Sequence, residues 1–485
     1  MRLRRLLLPG VIAAALLAPG PAGARHASPK PPRLARLTAS DGLFPAFSPD
    51  VHDYVVRCAS APVRFTTSVA AGTTSLIDGR AAHTVSVPLS PGRSATITGA
   101  SPLGATVYHV RCLPPDFPQW TVTGHGTPGE WYIATPSLSL GASASSYAVV
   151  FDSNGVPVWW LRDPDGPPID ATLLPGRTPT IAYATWAAPA GAFQVRRLDG
   201  TLVRDIVSPD GAIDVHELQV ASNGDDVFLV YAPKTDVDLT PYGGPADGTV
   251  LEGEIEETNA AGKLVWSWST DGHVGLDEST RWLSSIVGTP VELVDGSEGF
   301  DFFHANAVSV DGGAMLLSLR QTDGVYAIDR ATGDVLWKLG GTPTADSLTV
   351  VGDPDGAAPL GGQHDVRVLP DGTITLFDDG TFLGRPPRAV RYRIDPVART
   401  ATLLEQITDP TVTSSACCGS ARRLANGDWL VSWGGDPVVG EYAPDGTPVF
   451  RLTFDGLFSY RVEPVAASGL TADELRAGMD ALAAR

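Results

Sequence analysis

Residues 302–328 read FFHANAVSVDGGAMLLSLRQTDGVYAI, and this stretch decides the fold. Two runs of alternating apolar residues flank the sequence Asp311–Gly313, which predicts two antiparallel strands joined by a tight turn. His304 lies eight residues before Gly312, and Arg320 lies eight residues after it. A hairpin folded at this turn brings an imidazole and a guanidinium together at one end of the sheet, where they form a candidate anion site.

The same eight-residue spacing recurs at two other histidines. His216 lies eight residues before Gly224, and His364 lies eight residues before Gly372. If each segment is the same strand of a repeated unit, these two imidazoles and that of His304 lie at one height around a common axis.

Turn-and-strand units repeat from about residue 117 onward. Two hairpins per unit give four strands, and about six units of unequal spacing predict a six-bladed β-propeller over residues 117–465, with its innermost strands lining a central channel. Examples of the repeated unit are DSNGVPVWWL, TNAAGKLVWSWS, DRATGDVLWKLG and YAPDGTPVFRLTF. The blade tryptophans Trp266, Trp268 and Trp337 are predicted to pack between blades.

Composition agrees with an all-β protein and excludes some partners. The chain has 485 residues, of which 43% are hydrophobic and 18% charged, and its 52 Gly and 41 Pro suit many short strands joined by turns. The formal net charge is -19, which argues against binding to nucleic acid or to an anionic membrane surface. An anionic substrate would therefore need local positive charge.

The N-terminus has the pattern of an export signal over residues 1–24. Three arginines precede an apolar run, Leu6–Ala18, and small residues follow at Ala22–Ala24. No later apolar stretch is long enough to span a bilayer. We expect a secreted or periplasmic protein without a membrane partner.

Residues 25–116 are predicted to form a small N-terminal β-domain. The segment FSPDVHDYVV and the short strands after it resemble a cadherin-like β-sandwich, and we find no chemistry in it. Two similar strands end in Cys58 and Cys112, which are expected to form a disulfide in an oxidising compartment. Residues 466–485 are predicted to form a C-terminal helix that begins with a capping box at Thr471 and Glu474.

Several motifs resemble those of the bacterial aryl-sulfate sulfotransferases. They are DVHEL, FFHANAVSVDGG with LSLRQTDGVYAID, GGQHDVRVLPDGTITLFDDG, and the closing LANGDWLVSWG, EYAPDG and SYR. The resemblance covers most of residues 117–462. It implies a six-bladed propeller that moves a sulfuryl group from an aryl sulfate to a phenol through a sulfated histidine, with no cofactor.

By motif position, the resemblance implies His364 as the nucleophile. His216, His304 and Arg320 are then expected around the transferring group as cationic donors. We expect the neighbouring Asp365 and the cross-strand Asp379 to fix the tautomer of the nucleophile. The predicted partners are thus small molecules, an aryl sulfate and a phenol, and no metal ligand set is predicted. The sequence does not indicate an oligomeric state.

Three other functions fit parts of the sequence. The DRATGDVLWKLGG unit resembles the repeats of quinoprotein dehydrogenases, three imidazoles suit a zinc or copper hydrolase or lyase, and a propeller can be a non-catalytic binding module. The adjacent Cys417 and Cys418 suit a vicinal disulfide, slightly favoured, a free pair or a metal site. The long segments Thr235–Gly253 and Asp271–Glu298 exceed what a blade needs and suit a rim or lid.

Overall fold

A computed structural model of the chain describes residues 32–58, 62–139, 144–185, 191–293 and 296–485. The predicted leader, residues 1–24, lies outside this part. The described chain is mostly strand in small antiparallel sheets, as the alternating apolar runs and frequent turns predict.

The N-terminal part consists of two sheets that face each other across one apolar core. One sheet contains β1 (Leu34–Ala39), β3 (Val63–Val69) and β6 (Thr84–Val87). The other contains β2 (Asp53–Val56), β4 (Thr74–Ile77), β5 (Arg80–Ala81), β7 (Ser94–Ser101) and β8 (Gly104–Cys112). The predicted disulfide between Cys58 and Cys112 is present and ties the ends of the paired strands β2 and β8.

Six blades follow, which confirms the six-bladed β-propeller. The strand β9 (Trp120–Gly124) precedes them. Blade 1 contains β10 (Glu130–Leu138), β11 (Tyr147–Phe151) and β12 (Pro157–Arg162). Blade 2 contains β13 (Pro168–Leu174), β14 (Thr180–Thr185), β15 (Phe193–Arg197) and β16 (Leu202–Ile206). Blade 3 contains β17 (Ala212–Val220), β18 (Asp226–Val237), β19 (Gly248–Thr258) and β20 (Leu264–Ser269), and the short strands β21 (Val291–Glu292) and β22 (Glu298–Phe300) extend its sheet.

The remaining blades have the same design. Blade 4 contains β23 (Ala305–Asp311), β24 (Ala314–Leu319), β25 (Gly324–Asp329) and β26 (Val335–Gly340). Blade 5 contains β27 (Thr349–Val351), β28 (His364–Val368), β29 (Thr373–Asp378), β30 (Arg388–Asp395) and β31 (Thr400–Ile407). Blade 6 contains β32 (Ser420–Arg423), β33 (Trp429–Ser432), β34 (Val438–Tyr442) and β35 (Pro448–Phe454). The last strand, β36 (Phe458–Ala466), belongs to blade 1.

The two ends of the propeller segment close the ring twice. Strand β36 pairs with β10 as the innermost strand of blade 1, and β9 pairs with β35 as the outermost strand of blade 6. The innermost strands β13, β17, β23, β28, β32 and β36 each contact the next one around the channel, and β36 contacts β13. The channel wall is therefore continuous.

The hairpin of blade 4 has the predicted register. Asp311 pairs with Ala314 across a two-residue turn, in which Gly312 has a φ of 53°, a backbone conformation that favours glycine. At the far end, the backbone N–H of Arg320 donates to the carbonyl of His304 at 3.0 Å. The imidazole and guanidinium residues are therefore directly opposite each other.

The two long segments of blade 3 differ from each other. In the first, Thr235–Gly253, the strands β18 and β19 continue and pair as far as Val237 and Gly248, and a turn with a short 3-10 helix, Thr240–Tyr242, connects them. The second contains a 3-10 helix, Leu276–Trp282, and α1 (Leu283–Gly288).

The C-terminal helix α2 (Ala472–Leu482) packs against blade 1 and the N-terminal part. Its N-cap is Thr471, whose hydroxyl accepts from the backbone N–H of Glu474 at 3.2 Å while the Glu474 carboxylate accepts from the backbone N–H of Thr471, which confirms the predicted capping box. Between blades 3 and 4, the indole N–H groups of Trp266 and Trp268 donate to the carbonyls of Arg330 and Gly333. No helix within the described ranges is long and apolar enough to cross a membrane.

Candidate active site

Four innermost strands have a β-bulge at one level of the channel. In each, the pairing with the second strand of the blade shifts register, between Ile169 and Thr172, Asp214 and Leu218, Ala305 and Ala307, and His364 and Arg367. A bulge breaks the strict alternation of side chains along a strand. Consecutive residues such as His364 and Asp365, both fully buried, can therefore both point into the interior.

The structure brings the three predicted histidines together. The imidazole rings of His216 and His304 meet edge to face with their centroids 4.9 Å apart. The ring of Tyr460, on β36, lies 5.6 Å from that of His216 and 6.5 Å from that of His364. Three blades and the closing strand thus contribute to one cluster, and Tyr460, which lies in the SYR motif, is a member to which the sequence assigned no role.

Each imidazole is held at Nδ1 by a buried carboxylate. The pairs are His216 with Asp214, His304 with Asp301 at 2.6 Å, and His364 with Asp379 at 2.8 Å. A carboxylate at Nδ1 orients the ring and directs Nε2 toward the opposite side. Of the three carboxylates, the sequence predicted Asp379; the other two lie two or three residues before their histidines, a local spacing that could have indicated them.

The second ring nitrogen of His364, Nε2, accepts a hydrogen bond. The backbone N–H of Cys418 donates to Nε2 at 3.2 Å. Because a backbone N–H can only donate, Nε2 must be the nitrogen without a hydrogen, and Nδ1–H therefore donates to Asp379. His364 is held as the neutral tautomer whose free electron pair is on Nε2.

The pKa values of His364 and His216 are shifted in opposite directions. Burial, assisted by the positive charges of Arg320 and the other two histidines, holds the pKa of His364 well below its ordinary value. Burial acts in the same direction on His216, but the carboxylate of Asp214 outweighs it and raises the pKa of His216 above its ordinary value. One ring is therefore neutral and the other protonated over a common pH range.

Burial raises the pKa of Asp379, and the hydrogen bond from the hydroxyl of Ser415 and the charge of Arg320 oppose this shift. The carboxyl group thus accepts from two donors in a dry environment. Its partners favour the ionised form, which is the form that orients the His364 ring.

Arg320 lies beside this cluster and is supported by an aromatic ring. Its guanidinium carbon lies 4.3 Å from the ring centroid of Trp282, and its Nη2 donates to the carbonyl of Ala416 at 2.8 Å. Its Nε–H is buried without a hydrogen-bond partner in the described chain. Trp282 is the last residue of the 3-10 helix in the segment predicted as a rim or lid. Nothing in the sequence distinguished it from the tryptophans that were predicted to pack between blades.

Both neighbouring cysteines are free thiols, so the slightly favoured vicinal disulfide is not what the structure contains. A hydrogen bond with Cys418 lowers the pKa of Cys417, and Arg320 and His216 act in the same direction against burial. Burial raises the pKa of the Cys418 thiol. Among the residues that the structure describes, no group of three or more His, Cys, Asp or Glu side chains is placed to hold a metal ion.

Asp365, predicted as a second partner of His364, makes its contacts elsewhere. Its carboxylate accepts from the backbone N–H of Ala421 and, at 2.8 Å, from Arg422. It lies at 2.9 Å from a guanidinium nitrogen of Arg367. The left-handed backbone of Asp365, with a φ of 58°, turns its side chain away from the imidazole before it.

Asp365 belongs to a charged layer directly below the histidines. We use this name for Asp170, Glu217, Asp365, Arg367, Arg422 and Arg461, which come from five of the six innermost strands. Arg461 contacts Asp170 at 2.8 Å and Glu217 at 3.2 Å, and its Nη2 donates to the carbonyl of Asn306 on the sixth strand. All six blades are therefore connected across the axis by buried polar contacts.

A cavity of about 350 Å³ lies on the other side of the charged layer, where the innermost strands end. Its lining includes Glu217, Arg367, Arg422 and Glu463. Burial raises the pKa of Glu463 to about 7. The charged layer thus separates this end of the channel from the histidine cluster.

A family model described as arylsulfotransferase (ASST) matches residues 193–455, a segment that contains all four predicted catalytic residues. No curated protein matches the chain. Among solved structures, a protein of unknown function from Bacteroides caccae is 12% identical, covers 70% of this chain and 99% of its own, and has a TM-score of 0.42. Virginiamycin B lyase from Staphylococcus aureus is 12% identical, covers 73% of this chain and 90% of its own, and has a TM-score of 0.35.

Proposed function

The chain belongs to the arylsulfotransferase family, and from this premise we propose that it moves a sulfuryl group from an aryl sulfate to a phenol through a sulfated His364, without a nucleotide. The observation that carries the proposal is the state of His364, a neutral imidazole whose Nε2 has no hydrogen and lies beside Arg320 and two further histidines. We further propose that the propeller, residues 117–465, carries the reaction and that residues 1–24 export the chain, in agreement with its disulfide.

In the first half-reaction, Nε2 of His364 attacks sulfur. The N–S bond forms while the bond from sulfur to the aryl oxygen breaks, and its electron pair leaves with the phenolate oxygen. Protonated His216 donates its proton to that oxygen. The carboxylate of Asp379 stabilises the positive charge that develops on the His364 ring.

The second half-reaction is the reverse with a new phenol. Neutral His216 accepts the phenolic proton, the phenol oxygen attacks sulfur, and the N–S bond breaks to restore neutral His364. Because the two substrates react in turn with the same nitrogen, this sequence predicts ping-pong kinetics.

Arg320 and His304 stabilise charge on the sulfuryl oxygens. Sulfuryl transfer resembles phosphoryl transfer, in which a loose transition state spreads charge over the equatorial oxygens, so fixed cationic donors contribute more than covalent steps. The unpartnered Nε–H of Arg320 and the imidazole of His304, which is a quarter exposed, are suited to this role.

The test is turnover of 4-nitrophenyl sulfate with phenol as acceptor. We expect His364→Ala to lower kcat by about a thousandfold or more. Incubation with the donor alone should add about 80 Da to His364, detected by mass spectrometry of peptides prepared under alkaline conditions. The matched control is His125→Ala, an exposed histidine outside the channel, which should retain wild-type turnover. Wild-type rates in His364→Ala would contradict the proposal.

A further inference from the structure

Phe382 is an aromatic residue that the mechanism above does not use. It follows β29 in blade 5 and is 72% exposed. Among the large apolar side chains that are exposed in the described ranges, it is the single aromatic one. An aromatic ring left in water is a candidate contact for a ligand.

The backbone conformation that holds the Phe382 ring outward is unfavourable. Phe382 has a φ of 60°, a left-handed conformation that is unfavourable for a residue with a bulky side chain. The preceding residue, Thr381, is fixed on three sides: its N–H donates to Gly361 at 3.0 Å, its hydroxyl to Ser415 at 3.2 Å, and its carbonyl accepts from Arg281 at 2.6 Å. The exposed ring is therefore built into the fold.

The contacts of Phe382 lead directly to the candidate active site. Its ring lies 5.3 Å from that of Trp282, at an angle of 52°. The ring of Trp282 in turn supports the guanidinium of Arg320. Three residues before Phe382, Asp379 orients His364. The same short segment thus holds the nucleophile at one end and an exposed ring at the other.

We propose that Phe382, packed on the buried ring of Trp282, binds the aryl ring of the substrate. The inference rests on the proposed function and adds to it a residue that determines selectivity for aromatic sulfates and phenols. In an aryl sulfate, one oxygen separates the sulfur from the ring. A sulfuryl group bound at Arg320 therefore leaves the ring beside the residues that adjoin Arg320, and a flat apolar surface there stacks on it.

The test compares Phe382→Gly, Phe382→Leu and Phe382→Tyr. Glycine removes the ring and accepts the left-handed backbone, leucine keeps apolar bulk without a ring, and tyrosine keeps the ring. We expect the KM for 4-nitrophenyl sulfate to rise about two- to tenfold in the first two variants and to stay near wild type in the third. Val397→Ala is the matched control, because Val397 is 95% exposed in the same blade and should not alter KM.

A binding measurement distinguishes a failure of this inference from a failure of the proposed function. The Kd of 4-nitrophenyl sulfate is measured by calorimetry in the His364→Ala background, with butyl sulfate as a ligand that has no ring. Weaker binding of the aryl ligand alone in Phe382→Gly supports the inference, even if the wild-type protein turns over no aryl sulfate and the proposed function fails. An unchanged aryl Kd and KM in Phe382→Gly overturns the inference while the sulfotransferase activity stands. A protein that does not bind 4-nitrophenyl sulfate contradicts both.

Discussion

At His364, one backbone N–H decides which ring nitrogen is available. The donor is Cys418, whose own backbone is left-handed with a φ of 71°. In the proposed mechanism, this N–H loses its acceptor when a sulfuryl group joins Nε2, and it faces the new oxygens instead. A donor that fixes the tautomer before the reaction is thus placed to stabilise charge afterwards.

In the proposed mechanism, the pH dependence of kcat/KM follows from two imidazoles with opposite pKa shifts. His364 must be neutral, and its pKa is lowered, so activity falls on the acid side at a pH below the ordinary histidine value of about 6.5. His216 must be protonated, and its pKa is raised, so activity falls on the alkaline side above that value. The expected profile is a bell with a plateau near neutrality.

Asp214→Asn tests the assignment of the alkaline limb. Removing the carboxylate from Nδ1 of His216 lowers its pKa, and we expect the alkaline limb to move by about one pH unit or more toward acid while the acid limb stays in place. The control is Asp225→Asn, a partly exposed residue at the tip of the same hairpin. An alkaline limb that is the same in Asp214→Asn and wild type would assign the acid to another group.

Histidine spacing predicted the three imidazoles that the structure brings together, but it did not predict most of their partners. The count from each histidine to the following glycine is preserved because the hairpins end in similar turns. Asp214 lies at the bulge of β17, and Asp301 lies before β23 begins. Each is two or three residues from its histidine, but the spacing alone does not show which way side chains point where a strand bulges or begins. For the same reason Asp365, which is adjacent to His364 in sequence, binds arginines instead.

At the scale of elements, the inserted segment of blade 3 supports the guanidinium of Arg320. Its 3-10 helix places Trp282 under Arg320, and Arg281 beside it pairs with Asp323. Asp323 also accepts from the backbone N–H of Gly362, two residues before His364. An insertion that is unnecessary for the blade thus joins two of the blades that form the site.

We expect Trp282→Leu to lower kcat/KM for an aryl sulfate by about tenfold, because Arg320 loses the aromatic surface that holds its guanidinium. Steady-state kinetics measure the effect, and circular dichroism verifies the fold. Trp266→Leu is the matched control, since Trp266 supports Arg330 in a similar way between the outer strands of blades 3 and 4. Equal losses in the two variants would indicate a general effect on packing.

At the scale of the whole molecule, the charged layer connects the blades across the axis of the channel. Arg461 is 4% exposed and is shared by three carboxylates. A buried network of this kind is weak evidence for added stability, but removing one member leaves the others uncompensated. The sequence did not indicate this layer, because its members are far apart along the chain, and the only one that it singled out, Asp365, was assigned to His364.

Arg461→Met should lower the free energy of unfolding by about 3–5 kcal/mol, since it leaves Asp170, Glu217 and Asp365 short of positive charge. Urea denaturation measures the change. The control is Arg162→Met, which removes an ion pair with Asp116 whose side chains are more than half exposed and should cost about 1 kcal/mol or less. A small effect at Arg461 would mean that water enters the layer freely.

The overall fold was predictable because it is a repeat. Six similar turn-and-strand units leave few alternatives to a propeller. The way the ring closes was not predictable, because the sequences of β9 and β36 do not show which strands they pair with, and their partners are defined by position alone.

The pairing of β36 with β10 also determines when the candidate site is completed. Tyr460 and Arg461 lie on β36, and the ribosome makes this strand more than three hundred residues after β10, the strand that it must join. Until β36 is made, the innermost position of blade 1 is empty and the imidazoles beside it are open to water. A nascent chain without β36 therefore has an incomplete candidate site, which is completed in one step when this strand joins the sheet.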